Sequence, residues 1–134
     1  CASDNCDPAA SSINVIDTLE LSFLDSSGTK VRARINDSGG NKTIDVAGDT
    51  TNFHFILMTW NGSTLDLYVD GSTGSVAAGN VSSLLGRFAI CGNGGTAEFF
   101  RDAIVKGRTY NAYKTATQAA ALRTYWKSQF PSLP

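Results

Sequence analysis

The stretch from Phe53 to Gly71, two apolar runs joined by Asn61-Gly62-Ser63, most constrains what this chain can fold into. Asn and Gly tolerate the positive φ that tight turns need, so the two runs are expected to pair as an antiparallel hairpin. The first run, Phe53 to Trp60, is apolar on both faces. Phe53, Phe55 and Leu57 lie on one, and His54, Ile56, Met58 and Trp60 on the other. That pattern predicts a central strand held between two layers. The second run alternates, with Leu65, Leu67 and Val69 on one face and Asp66, Tyr68 and Asp70 on the other. Asp70-Gly71 supplies the next turn.

Other segments repeat the period of two. Leu19, Leu21 and Phe23 share a face, and in Lys30 to Ile35 the apolar Val31, Ala33 and Ile35 alternate with Lys30, Arg32 and Arg34. Lys42 to Ala47 reads as a short returning strand after the turn Asn36 to Gly40. Gly74 to Asn80 reads as a small-residue loop, Leu84 to Cys91 as a strand, and Glu98 to Tyr110 as a last long strand. The period then changes. Thr115 and Gln118 have capping-box spacing, and Ala119, Leu122, Trp126 and Phe130 form one helical stripe that Pro131 ends. Eight or so strands and one C-terminal helix predict an all-β antiparallel sandwich. Residues 1–12 read as an irregular lead-in, and 13–134 as one domain.

Composition agrees with strands joined by small turns. Gly, Ser and Thr make up 40 of 134 residues, and only two Glu occur. Lys and Arg number 11 against 12 Asp and Glu, so the chain lacks the basic excess that nucleic-acid binding requires. No apolar run approaches the roughly 18 residues of a bilayer span, so no membrane insertion is expected. The chain begins with Cys1, and its sole methionine is Met58; it is expected to be a processed product or an excised piece of a longer protein. Cys1, Cys6 and Cys91 are odd in number, so at least one thiol is free or joined to another chain. Idle thiols and a disulfide both remain open. A Cys6–Cys91 bond would fasten the N-terminal segment and leave Cys1 for an intermolecular link.

The Phe53–Gly71 run, with its L-x-L-Y-V-D-G return, resembles the central hairpin of the concanavalin A-like, laminin-G-like jelly rolls. Leu85-Gly86, Ile90-Cys91-Gly92, the closing segment Phe99 to Tyr110 and the helix Thr115 to Leu122 resemble later parts of that family, in the same order. The likeness covers roughly residues 20 to 127. Two departures stand out: Asp102 takes a position where Gly is usual, and residues 1–12 cannot supply the family's first strands. A missing outer strand would leave an unpaired sheet edge, which points toward assembly with other protein subunits. The resemblance implies a jelly roll at home outside a cell or on a virus particle, among relatives that include lectins, glycosidases, receptor modules and virion parts.

Catalysis finds few candidates. Sugar-cleaving relatives carry paired acids on one strand face; here Asp17 and Glu20 are offset by three and point to opposite faces. Glu98 and Asp102 share a face but lie about 13 Å apart along a strand. His54, the one histidine, reads as a hydrogen-bonded core residue, and neither a zinc site nor a nucleophilic triad is expected. Gly92-Asn93-Gly94-Gly95 lacks the Lys of a phosphate loop. Calcium is possible through Asn36, Asp37, Asp70 and Asn93, although Asn and Asp belong in turns anyway. A glycan could lie on Tyr68 and Asp66 with Arg32 and Arg34, if their strands share a sheet. The alternative is a solvated face with cross-strand ion pairs. Trp60 and Trp126 read as packing residues. Four Asn-x-Ser/Thr sequons, at Asn36, Asn41, Asn61 and Asn80, lie in expected turns. The leading expectation is a non-catalytic module for adhesion, decoration or assembly. A carbohydrate-binding module and a degenerate glycosidase are the alternatives.

Overall fold

The structure, a computed structural model, describes residues 19–23, 29–49, 51–79, 106 and 108–134. Among the described residues, six strands form two antiparallel sheets. In the first, β1 (Leu19–Phe23), β2 (Lys30–Asp37) and β3 (Gly40–Ala47) lie in sequence order. In the second, β4 (Ile56–Trp60), β5 (Thr64–Val69) and β6 (Ser72–Ala77) do the same. The sheets pack face to face, and one helix, α1 (Ala116–Gln129), follows. This is an all-β sandwich with a short C-terminal helix.

Alternation explains the core. Val31, Ala33 and Ile35 of β2 and Ile44 and Val46 of β3 face Leu65, Leu67 and Val69 of β5, with Ile56, Met58, Trp60 and Val76 packed around them. Leu65 and Leu67 are fully buried, which stabilises the fold by about 1.5–3 kcal/mol each. The hairpin turns follow their residue types. The Asn61 side chain accepts the backbone N–H groups of Ser63 and Thr64 at 2.9 and 2.8 Å, and Gly62 has φ 95°. Trp60 donates its indole N–H to the Ala78 carbonyl at 2.8 Å, fixing the end of β6 against β4.

Three expectations need correction. The strand expected from Phe53 begins only at Ile56; Phe53 is 47% exposed, and Phe55 is held by Asp70 ahead of the strand. The expected loop from Gly74 contains most of β6, because small residues are what its position demands. A side chain at Gly74 would run into Ile44 and Val46 on the facing β3. The end of the expected strand 98–110 is also irregular at residues 108–110. The remainder of that segment, the strand expected at 84–91 and the lead-in 1–12 lie outside the described residues. The capping box forms as read: the Thr115 hydroxyl accepts the Gln118 N–H, and the Gln118 side chain accepts the Thr115 N–H.

Candidate functional site

The residues singled out from sequence fall on opposite sides of the sandwich. Arg32 and Arg34 stand on the outer face of the first sheet; Asp66 and Tyr68 stand on the outer face of the second. The four-residue glycan patch is therefore not assembled, because its strands do not share a sheet. Arg32 instead grips its cross-strand partner Asp45 with two hydrogen bonds of 2.7 and 2.9 Å, Nε to Oδ1 and Nη2 to Oδ2. Hydrogen bonding and charge from Arg32 hold the Asp45 carboxyl below its ordinary pKa, against the pull of burial.

Asp66 and Tyr68 are not solvated either; each is only 8% exposed. Thr59, Asp66 and Ser75 are register partners, one row across β4, β5 and β6 on the outer face. The chain entering α1 crosses that row. Tyr113 donates its hydroxyl to Asp66 Oδ2 at 2.6 Å, Ser75 donates to Oδ1 at 2.5 Å, and Thr59 Oγ1 accepts the Lys114 N–H at 3.0 Å. The hydrogen bond to Asp66 pushes the Tyr113 phenol up to about 12, and burial and the Asp66 charge push Tyr68 upward as well. Sequence could show that β5 has a polar face. It could not show that a segment about 50 residues further on covers it.

A second polar cluster forms where the β5–β6 turn meets the loop before β4. His54 Nδ1 lies 2.6 Å from Asp70 Oδ2, while Nε2 accepts the Asp49 backbone N–H at 3.2 Å. The other Asp70 oxygen accepts the Phe55 N–H at 2.9 Å. Burial disfavours the imidazolium, but the hydrogen bond and charge of Asp70, with Asp49 adding to them, outweigh it; the His54 pKa stands above 6.5. Asp49 caps its own turn, accepting the N–H groups of Thr51 and Asn52, which holds its carboxyl far below the usual range. His54 is thus a hydrogen-bonded residue, as its sequence setting suggested. A cleft of about 500 Å³ opens between this cluster and the C-terminal Ser132 and Pro134.

The calcium candidates among the described residues do not converge. Asp70 shares its cleft with Thr29, beside the start of β2, whereas Asp37 ends β2, about 23 Å away along the strand. Asp37 accepts the Gly39 N–H in its own turn, and Asn36 is buried within β2, which also removes its sequon from an accessible turn. No group of three or more metal-ligating His, Cys, Asp or Glu occurs among the described residues. Asn93, Cys1, Cys6 and Cys91 lie outside the described residues.

One cleft has no counterpart in the sequence expectations. About 430 Å³ in volume, it is lined by Lys106, Arg108, Tyr125, Trp126, Gln129 and Phe130. Trp126 and Phe130 stack with ring centres 5.9 Å apart, and Tyr125 meets Trp126 edge-on at 5.2 Å. Trp126 and Phe130 belong to the apolar stripe of α1, but Tyr125 lies off it and is 52% exposed. That off-stripe aromatic, beside the Lys106-x-Arg108 pair, was the available signal.

No helix among the described residues is long and apolar enough to cross a membrane. No family model matches the chain, and no curated protein matches it. Among solved structures, it is similar to the 2.1 Å crystal structure of residues 221–444 of an S-layer domain-containing protein from Clostridium thermocellum. The identity is 21% and the TM-score 0.48, over 78% of this chain and 55% of that one, so the chain spans about half the length of that neighbour.

Proposed function

We propose that this chain is a non-catalytic, laminin-G-like module of a cell or virion surface, working by adhesion, decoration or assembly. The observation that supports the non-catalytic part is the engagement of the aspartates whose side chains are described. Every aspartate whose side chain is described already holds structure: Asp37 and Asp49 their turns, Asp45 Arg32, Asp66 Tyr113 and Ser75, and Asp70 His54 and Phe55. Both nitrogens of His54 are bonded too. General acid–base work needs a group free to exchange a proton with substrate, and these are tied to the scaffold.

The surface setting rests on the resemblance of the Phe53–Gly71 hairpin and the capped helix. Both elements form on the residues that carry the likeness, which supports the reading. The sugar-binding alternative loses the Tyr68/Asp66 face, which Tyr113 covers. The test is incubation with a panel of polysaccharides, β-glucans included, followed by assay of new reducing ends. None are expected; release proportional to protein concentration would overturn the proposal. Size-exclusion chromatography and non-reducing electrophoresis test assembly. Oligomers that collapse on reduction are expected, and persistent monomer in both argues against it.

A further inference from the structure

We propose that His54 is a two-state latch on the Asp49 turn: the neutral ring holds the Asp49 backbone N–H, and the protonated ring releases it and takes the Asp49 carboxylate instead. The latch is independent of the surface reading above. Donors and acceptors decide which ring nitrogen titrates. Nδ1 lies 2.6 Å from Asp70 Oδ2, and a carboxylate only accepts, so Nδ1 keeps its proton in both charge states. Nε2 is therefore the nitrogen that gains or loses one. In the neutral ring its lone pair accepts the Asp49 N–H at 3.2 Å. In the imidazolium both nitrogens are donors, and two N–H groups that face each other cannot bond. An acceptor for the new N–H already stands at hand: Asp49 Oδ1 is 3.4 Å from Nε2. One residue thus offers His54 a donor for one charge state and an acceptor for the other.

The turn gives way, not the ring. The His54 side chain is 8% exposed and pinned by Asp70, whereas that of Asp49 is 43% exposed. Asp49 Oδ1 already accepts the Thr51 and Asn52 N–H groups at 2.8 Å each and the Thr51 hydroxyl at 2.9 Å. An oxygen with two lone pairs has no room for a further strong donor, so Nε2–H displaces one of these, and the freed Asp49 N–H turns to water. Among the described residues, the charged groups around the ring are Asp70 from the β5–β6 turn and Asp49 from the loop after β3. From α1, Arg123 comes within 3.7 Å of where a Gly71 side chain would begin, but it donates to the Pro134 carbonyl at 2.7 Å. Lys30, which opens β2, acts on Asp45. Burial opposes protonation, but Asp70 and then Asp49 outweigh it, so the latch changes state above pH 6.5. Asp49, Asn52, His54 and Asp70 line the cleft of about 500 Å³, so its wall and its charge change together.

The test is a pH titration of the intact, isotope-labelled chain by NMR, following both His54 ring nitrogens and the backbone amides of Asp49, Thr51 and Asn52. Nε2 is expected to titrate while Nδ1 stays protonated. On acidification through the same midpoint, hydrogen-exchange protection of the Asp49 amide, corrected for the intrinsic pH dependence of exchange, should fall about two- to tenfold, the equivalent of one hydrogen bond. The Thr51 or Asn52 amide should shift with it. In His54→Gln, which cannot take up a proton, the Asp49 step should vanish. Titration at Nδ1, Asp49 protection unchanged through the His54 midpoint, or a step that persists in His54→Gln overturns the latch.

Discussion

At the scale of single residues, the informative side chains are polar ones committed to structure. Asp70 sits in the left-handed region, with φ 53°, where Asp and Asn are tolerated far better than most residues. From there its two oxygens reach His54 and the Phe55 N–H. Asp70 raises the His54 pKa, so this residue contributes stability that is full below 6.5 and is lost as pH rises through the folded-state value. Asp70→Asn keeps the backbone conformation and an oxygen for Phe55 but removes the charge. Burial then acts unopposed by Asp70, and the His54 pKa is expected to fall. The chain has one histidine, so a single imidazole resonance followed by NMR against pH reads the change. An unchanged midpoint would show that Asp70 does not set it.

Gly74 is the second residue of this kind, silent in a sequence because its value is what it lacks. Replacing it with Ala forces a methyl group into Ile44 and Val46 across the core. A loss of about 1–3 kcal/mol by urea unfolding is expected.

Elements were legible where one face alone decides them. The alternation of β2 and β5, the Asn61-Gly62 turn and the Thr115 capping box each carry local signals, and each forms. Thr115→Ala should cost about 0.5–2 kcal/mol by removing the acceptor for the Gln118 N–H. β6 was not legible. Ser72-Thr73-Gly74-Ser75 has the composition of a loop, and only packing against β3 explains it. The same blindness hid the strap over β5. A polar face reads as solvated unless the distant segment that covers it is known, and Tyr113 is 47 residues from Asp66. Tyr113→Phe should release that strap in part. It should also remove the phenol that otherwise loses its proton only near pH 12, which alkaline titration of tyrosinate absorbance would detect.

For the whole molecule, two stacked sheets put the sequence-selected polar residues on opposite outer faces, with the core between. The sandwich itself was readable from period and turn chemistry. The candidate site was not, because which faces of two sheets meet is a matter of tertiary packing, on which strand periodicity is silent. The molecule that results has aspartates serving as fasteners and a basic, aromatic cleft beside its helix.

Asp66 is where a fastener and a functional acid differ most. Removing a functional acid commonly leaves a fold as stable or makes it more so. Removing a fastener takes away the charged acceptor its partners held, here the half-buried Tyr113 and the exposed Ser75. The thermal midpoint of Asp66→Ala against the parent chain therefore decides between them. A fall corresponding to about 1–3 kcal/mol, several degrees for a domain of this size, is the expected result. A midpoint equal to or above the parent's would contradict it.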